Sequence, residues 1–127
     1  MKLTTEEQIK KALDEAGIKV EENCFYELSS SGFGKVLNLE RFRVKILCHK
    51  VDSETRVSWV CGSVKINKKT LSYVDRYTGC TQWVVASEDL VKAIWMECNK
   101  YTIIDALRQS KDFNLYKELG ERIKGLA

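Results

Sequence analysis

The first segment of the chain with a clear period is helical. Within residues 4–16 the apolar side chains recur at the spacing of one helix face, at Ile9, Ala12, Leu13 and Ala16. Either Thr4 with Glu7 or Thr5 with Gln8 can form a capping box, in which side chains satisfy backbone N–H groups of the first turn. The segment therefore predicts an N-terminal helix that packs against the rest of the chain.

From about residue 18 to residue 86 the apolar residues alternate with polar ones, which is typical of strands. The clearest stretch is RFRVKI at positions 41–46, which follows a glycine-containing loop, SSSGFGK. A later strand keeps its apolar residues on one face only if Gly62 and Ser63 form a β-bulge. These strands predict an antiparallel meander of four or five members.

Helical spacing returns after Ser87 and continues almost to the end of the chain. One helix is expected from Ser87 to about Cys98, and Thr102 is expected to begin a short second helix that ends near Gln109. Residues 112–124 predict a third helix. The C-terminal part of the chain thus contributes two or three helices.

The order of these elements predicts the fold class. One helix, then four or five strands, then two or three helices indicates an α+β protein whose antiparallel sheet is covered on one face by helices. At 127 residues, and without a low-complexity linker, residues 1–127 are expected to form a single compact domain.

The alternation at positions 41–46 also predicts a basic face. If Phe42, Val44 and Ile46 point into the core, the cations between them project from the opposite side of the sheet. If the next strand pairs with this one and carries the bulge, two more cations join that face. Phe33 is a candidate exposed aromatic at the tip of the preceding loop. The candidate partner-binding residues are therefore Arg41, Arg43, Lys45, Arg56, Lys65 and Phe33.

The composition limits the setting and the partners. A hydrophobic fraction of 44% and a charged fraction of 31% are ordinary for a globular domain. The formal net charge of +3 allows contact with a polyanion without indicating a dedicated nucleic-acid domain. No apolar run is long enough to span a membrane, and the N-terminus has no apolar signal core. We therefore expect a cytoplasmic, reducing location and no membrane contact.

Motifs for catalysis, metals and cofactors are missing from the sequence. The five cysteines are widely spaced, which is typical of reduced core thiols and not of a disulfide framework or a zinc site. His49 is the only histidine, and its neighbour Cys48 would point to the other face of a strand. The loop SSSGFGK lacks the phosphate-loop pattern. We expect no catalytic residue, metal site, cofactor or small-molecule ligand.

These features predict a small non-catalytic binding or regulatory protein, of the inhibitor or adaptor type. It would act by direct contact with a macromolecule, and a protein partner is favoured. One alternative is an RNA- or DNA-binding domain that uses the basic face. A second alternative is a small enzyme, either thiol-dependent or a metal-dependent nuclease.

Overall fold

The computed structural model describes residues 2–29 and 34–126 of the chain. Within these residues the chain forms three α-helices and nine strands. The helices are α1 (Glu6–Glu15), α2 (Leu90–Gln109) and α3 (Phe113–Leu126). The strands are β1 (Cys24–Ser29), β2 (Lys35–Leu39), β3 (Phe42–Lys50), β4 (Ser53–Glu54), β5 (Ser58–Cys61), β6 (Val64–Asn67), β7 (Ser72–Val74), β8 (Thr81–Trp83) and β9 (Val85–Ala86).

The strands form two antiparallel sheets. The first sheet has the order β2-β3-β1-β9, and the second has the order β4-β5-β6-β7-β8. The α+β class is therefore confirmed. The expected meander describes the second sheet. In the first sheet β1, which comes first in the sequence, pairs with β9, which comes last and forms one edge.

The first sheet lies between two cores, and this produces three layers. On one face Cys24 and Tyr26 of β1 pack in a core shared with α1 and α2. On the other face Phe25 packs against Ile66 in the core between the two sheets. Consecutive residues of β1 therefore enter different cores, because side chains along a strand alternate between its faces.

The RFRVKI stretch forms a hairpin turn followed by a strand. Leu39 of β2 pairs with Phe42 of β3, so Arg41 lies in the turn and not on the strand. Val44 and Ile46 are buried in the core under the helices, as the alternation predicts. The apolar half of the pattern is thus confirmed, and the placement of Arg41 on the strand is wrong.

Gly62 also has a different role from the expected one. Cys61 of β5 pairs directly with Val64 of β6, so Gly62 and Ser63 form a two-residue hairpin turn and not a β-bulge. Gly62 adopts a φ of +61°, which favours glycine, and its N–H donates to Asp52 Oδ2 at 2.7 Å. The chain therefore reverses at the point where the sequence predicted one continuous strand.

Local signals at the helix ends are only partly followed. Thr5 and Gln8 form the capping box of α1, with reciprocal side-chain to backbone hydrogen bonds. The helix α2 continues without a break past Thr102, so the expectation of a helix start there is wrong and two helices follow the sheets. The helices α1 and α2 bury side chains in the helical layer, whereas α3 has no buried residue.

A buried asparagine ties the start of the chain to α2. Asn99 is almost fully buried, its Oδ1 accepts from the Thr4 N–H at 2.9 Å, and its Nδ2 donates to the Thr4 carbonyl at 2.9 Å. The side-chain amide of Asn99 thus bonds to both the N–H and the carbonyl of Thr4, as the backbone of a neighbouring strand would. It therefore fixes the N-terminal segment beside α2.

We predict that Asn99→Ala lowers the free energy of unfolding by about 1–3 kcal/mol, since two backbone groups of Thr4 lose their partner. The matched substitution Asn114→Ala, at an exposed position of α3, should change it by less than about 0.5 kcal/mol. Urea unfolding followed by circular dichroism measures both values. Equal effects of the two substitutions would contradict the anchoring role of Asn99.

Candidate functional site

The five cations predicted to share one face are divided between the two sheets. Arg43 and Lys45 lie on β3, which pairs with β1 and β2. Lys65 lies on β6, and Arg56 lies in the turn between β4 and β5. The expected pairing of β3 with the strand that holds Lys65 is therefore wrong. That pairing was the reason for expecting the five cations on one face. Phe33 lies outside the described residues.

A cleft with a volume of about 830 Å³ lies between the first sheet and α2. Its floor is the face of the first sheet that points toward the helices, and the floor side chains are Leu28, Phe42, Val44 and Val85. All four side chains are apolar, so the floor offers a partner hydrophobic contact and no charge.

The cleft exists because β9 is short and the chain then changes sheets. β9 runs beside only Phe25 and Tyr26 of β1. The preceding residue, Val84, donates its N–H to the Leu71 carbonyl at the second sheet and is buried between the sheets. No strand of the described chain therefore continues β9 along the rest of β1, and the sheet face beside α2 stays open.

The wall of the cleft is one face of α2. Ala93, Met96, Glu97, Lys100 and Ile103 line it, and all of them except Glu97 follow one another at spacings of three, four and three residues. This is the spacing at which a helix presents a seam to another helix. Ala93 is buried, whereas Met96 is 56% exposed, so the wall opens to solvent along its length.

The rim of the cleft combines an exposed aromatic with charged side chains. Trp83, at the end of β8, is 65% exposed. Glu97 and Lys100 form an ion pair with an Oε2 to Nζ distance of 3.3 Å, whereas Arg43 has no ion pair with any described residue. Arg43 borders the cleft, but it alternates with Val44 along β3, so its side chain leaves the first sheet on the face opposite the cleft floor.

A second cluster is polar and lies in the core between the two sheets. Glu27 of β1 is buried, and its Oε1 accepts a hydrogen bond from the hydroxyl of Tyr73 on β7. His49 Nε2 lies 3.1 Å from the same oxygen, and the His49 ring meets the Tyr73 ring edge-on with centroids 5.3 Å apart. The pKa of Tyr73 is raised because burial disfavours the phenolate, and because Glu27 accepts its hydrogen bond.

This cluster joins the sheets and does not face the cleft. None of Glu27, His49 and Tyr73 lines the cleft. A carboxylate, an imidazole and a phenol can carry out proton transfer, but such groups act only where a substrate can reach them. Their arrangement is that of a satisfied buried network, in which each donor and acceptor supports the others.

The cysteine thiols differ in their burial and in their pKa. Burial, then the hydrogen bond with Cys48, raises the pKa of the Cys24 thiol to about 11. Burial also raises the pKa of Cys61 and Cys98. Since the thiolate is the nucleophile, these three cysteines are poorly reactive at neutral pH.

Metal ligands and membrane-spanning helices were also sought in residues 2–29 and 34–126. No three His, Cys, Asp or Glu side chains in these ranges lie close enough together to hold a metal ion. None of the helices there combines the length and the apolar composition that crossing a membrane requires.

Comparison with known proteins gives no relative for this chain. No known protein family, curated protein or solved structure matches it. The functional argument therefore depends on the geometry of the cleft, the polar cluster and the exposed surfaces.

Sequence reasoning missed most of the cleft. Trp83 was not among the candidate residues, and the sequence around Met96 and Ile103 does not distinguish them from buried helix residues. A usable signal was the helical spacing of the apolar residues Ala93, Met96 and Ile103, which lie on α2 beside its buried face.

We predict that Tyr73→Phe lowers the free energy of unfolding by about 1–3 kcal/mol, because Glu27 loses a hydrogen bond in a buried site. Tyr77→Phe is the matched control, since Tyr77 is 88% exposed and its hydroxyl can bond to water. Chemical unfolding of the two variants measures the difference. A Tyr73→Phe protein as stable as the control would show that the cluster does not join the sheets energetically.

We also predict a sharp order of thiol alkylation in the folded chain at pH 8. Cys48 and Cys80 are exposed and should react quickly with iodoacetamide, whereas Cys24 and Cys61 are buried with raised pKa values and should be protected. Peptide mass spectrometry with and without denaturant gives the rates. Rapid modification of Cys24 in the folded protein would contradict its described surroundings.

Proposed function

We propose that the chain is a non-catalytic binding protein that takes an amphipathic helical segment of a protein partner into the cleft between the first sheet and α2. The observation that carries this proposal is the open apolar surface of the cleft. Exposed apolar patches with polar rims mark sites of protein interaction, since leaving them in water is unfavourable.

A helical occupant suits the shape of the cleft. The α2 wall presents Ala93, Met96, Lys100 and Ile103 at the spacing of a helix-packing seam. An apolar stripe of a second helix can pack against this seam and against the sheet below it, as α1 does elsewhere in the same layer. The partner helix thereby completes the helical layer over the first sheet, which α1 and α2 form only in part.

The charges at the rim suggest the polar character of the partner. Arg43 borders the cleft from the opposite face of β3 and has no ion pair with a described residue, and Lys100 lies along the wall. The proposal brings the Arg43 side chain round the edge of the sheet to the bound segment. A segment with an acidic residue beside its apolar stripe would pair with Arg43, which gives orientation and partner choice more than affinity. The proposal therefore assigns a role in partner binding to the candidate site residue Arg43, together with Trp83 and Met96.

The alternative functions have less support. Nucleic-acid binding by five converging cations required β3 to pair with the strand that holds Lys65, and β3 pairs with β1 and β2. A thiol-dependent or metal-dependent enzyme would need a reactive group at a cleft, and the cleft between the first sheet and α2 is lined by no cysteine or histidine.

The test is the selection of peptides from a random-peptide display library on the immobilised full chain. We predict selected sequences with apolar residues at spacings of three and four, flanked by an acidic residue. Met96→Glu should weaken binding of these peptides at least about tenfold, because it places a charge on the apolar wall. Val57→Glu is the matched control. Val57 is 62% exposed and lies in the turn before β5, far from Met96 in the sequence.

The same peptides separate the charge from the apolar surface. Arg43→Ala should weaken the peptides that carry the acidic residue, and Lys65→Ala, at an exposed site of the second sheet, should not. Unchanged thermal unfolding of each variant shows that it is folded. Failure to select any peptide, or equal binding to the wild type and to Met96→Glu, would overturn the proposal.

A further inference from the structure

The helix α3 is an amphipathic element without a covered face. Phe113 is 73% exposed, Ile123 is 66% exposed, and no residue of the helix is buried. A helix of 14 residues is marginal in water by itself, and most helical stability in proteins comes from packing an apolar face. The composition of α3 therefore requires a surface to cover it.

Four of the apolar side chains of α3 form a stripe with a defined spacing. They are Tyr116, Leu119, Ile123 and Leu126, at intervals of three, four and three residues, and Phe113 and Leu115 precede them. The wall of the cleft on α2 has the same intervals, from Ala93 to Ile103. Two helices with this spacing pack side by side, with the side chains of each between those of the other.

The lengths of the two surfaces also agree. At a rise of 1.5 Å per residue, the cleft wall from Ala93 to Ile103 is about 15 Å long, and the whole of α3 is about 21 Å long. One α3 can therefore cover the full wall of one cleft. One chain thus presents an uncovered helix stripe and a cleft wall with the same residue intervals, and the helix is long enough to cover the wall.

The connection between α2 and α3 separates the two surfaces within one chain. Ser110 is extended, with φ −74° and ψ 141°. The first turn of α3 is held at this corner, because Leu115 N–H donates to Asp112 Oδ1 at 3.1 Å and the Tyr116 hydroxyl donates to the Leu107 carbonyl. A chain that folded α3 onto its own cleft would have to rearrange this corner, whereas a second copy would not.

We propose that two copies of the chain associate by exchanging α3, so that the stripe of each α3 lies in the cleft of the other. The inference rests on the proposed function, since it identifies the helical segment that the cleft takes as α3 of a second copy. The exchange is reciprocal, so both stripes and both clefts are covered and the association closes at two chains.

Sedimentation equilibrium of the full chain over a range of concentrations tests the association. The wild type is expected to form a dimer. Ile123→Glu, in the stripe, and Met96→Glu, in the cleft wall, are each expected to raise the dimer dissociation constant at least about tenfold. Asn114→Glu places the same charge on the exposed polar side of α3 and should leave the dimer unchanged.

A mixture of the two interface variants tests the exchange itself. The Ile123→Glu chain keeps an intact cleft, and the Met96→Glu chain keeps an intact α3, so one complete contact forms between them. The mixture should therefore give a heterodimer although each variant alone is monomeric. A wild-type dimer without this complementation would overturn the exchange, because α3 would then pair with another surface.

The outcomes also separate this inference from the proposed function. A monomeric wild type overturns the exchange, including the case in which slow amide hydrogen exchange shows α3 covered within its own chain. The peptide selection can still succeed on that monomer, which would leave the cleft as a site for a different partner. If the exchange is correct, the monomeric Ile123→Glu chain should bind the selected peptides more tightly than the wild type does, because its cleft is vacant.

Discussion

The structure depends on the burial of β1 on both of its faces. Cys24 and Tyr26 are covered by the helices, and Phe25 and Glu27 are covered by the second sheet. A strand in this position cannot carry an unpaired polar group, because burial without a partner costs far more than a hydrogen bond returns. The buried carboxylate of Glu27 accordingly meets both a histidine on the neighbouring strand and a tyrosine on the other sheet. The layer arrangement and the polar cluster are thus two results of one constraint.

The cleft follows from the way in which the two sheets are joined. A chain that passes from one sheet to the next must leave the first sheet somewhere, and here the join is at Val84. The strand that could have covered the remainder of β1 is only two residues long. The long helix α2 then passes over a sheet that it does not completely cover, and the uncovered part is apolar. The binding surface is in this sense the unfilled part of a helical layer.

The sequence was informative where a single element carries its own signal. The capping box of Thr5 and Gln8 and the apolar positions Val44 and Ile46 could be predicted, because helix caps and strand alternation are local properties. The division into two sheets could not, since the alternation rule assumes that only one face of a strand is buried. The run Cys24 to Glu27 is buried at every position, and this pattern shows no period. The cleft was also beyond prediction, because it forms where distant parts of the chain meet.

The bond between Thr4 and Asn99 has a consequence for the order in which the chain can fold. The second sheet is built from neighbours in sequence, so it can form as soon as residues 53–83 have left the ribosome. The first sheet lacks its outer strand β9 until residue 86 has been made, and the N-terminal segment lacks its amide partner until residue 99 has been made. The segment that holds α1 and β1 is therefore secured well after it has been synthesised. During synthesis the nascent α1 and β1 must wait, with their apolar surfaces exposed, for a helix that comes more than 60 residues later in the chain.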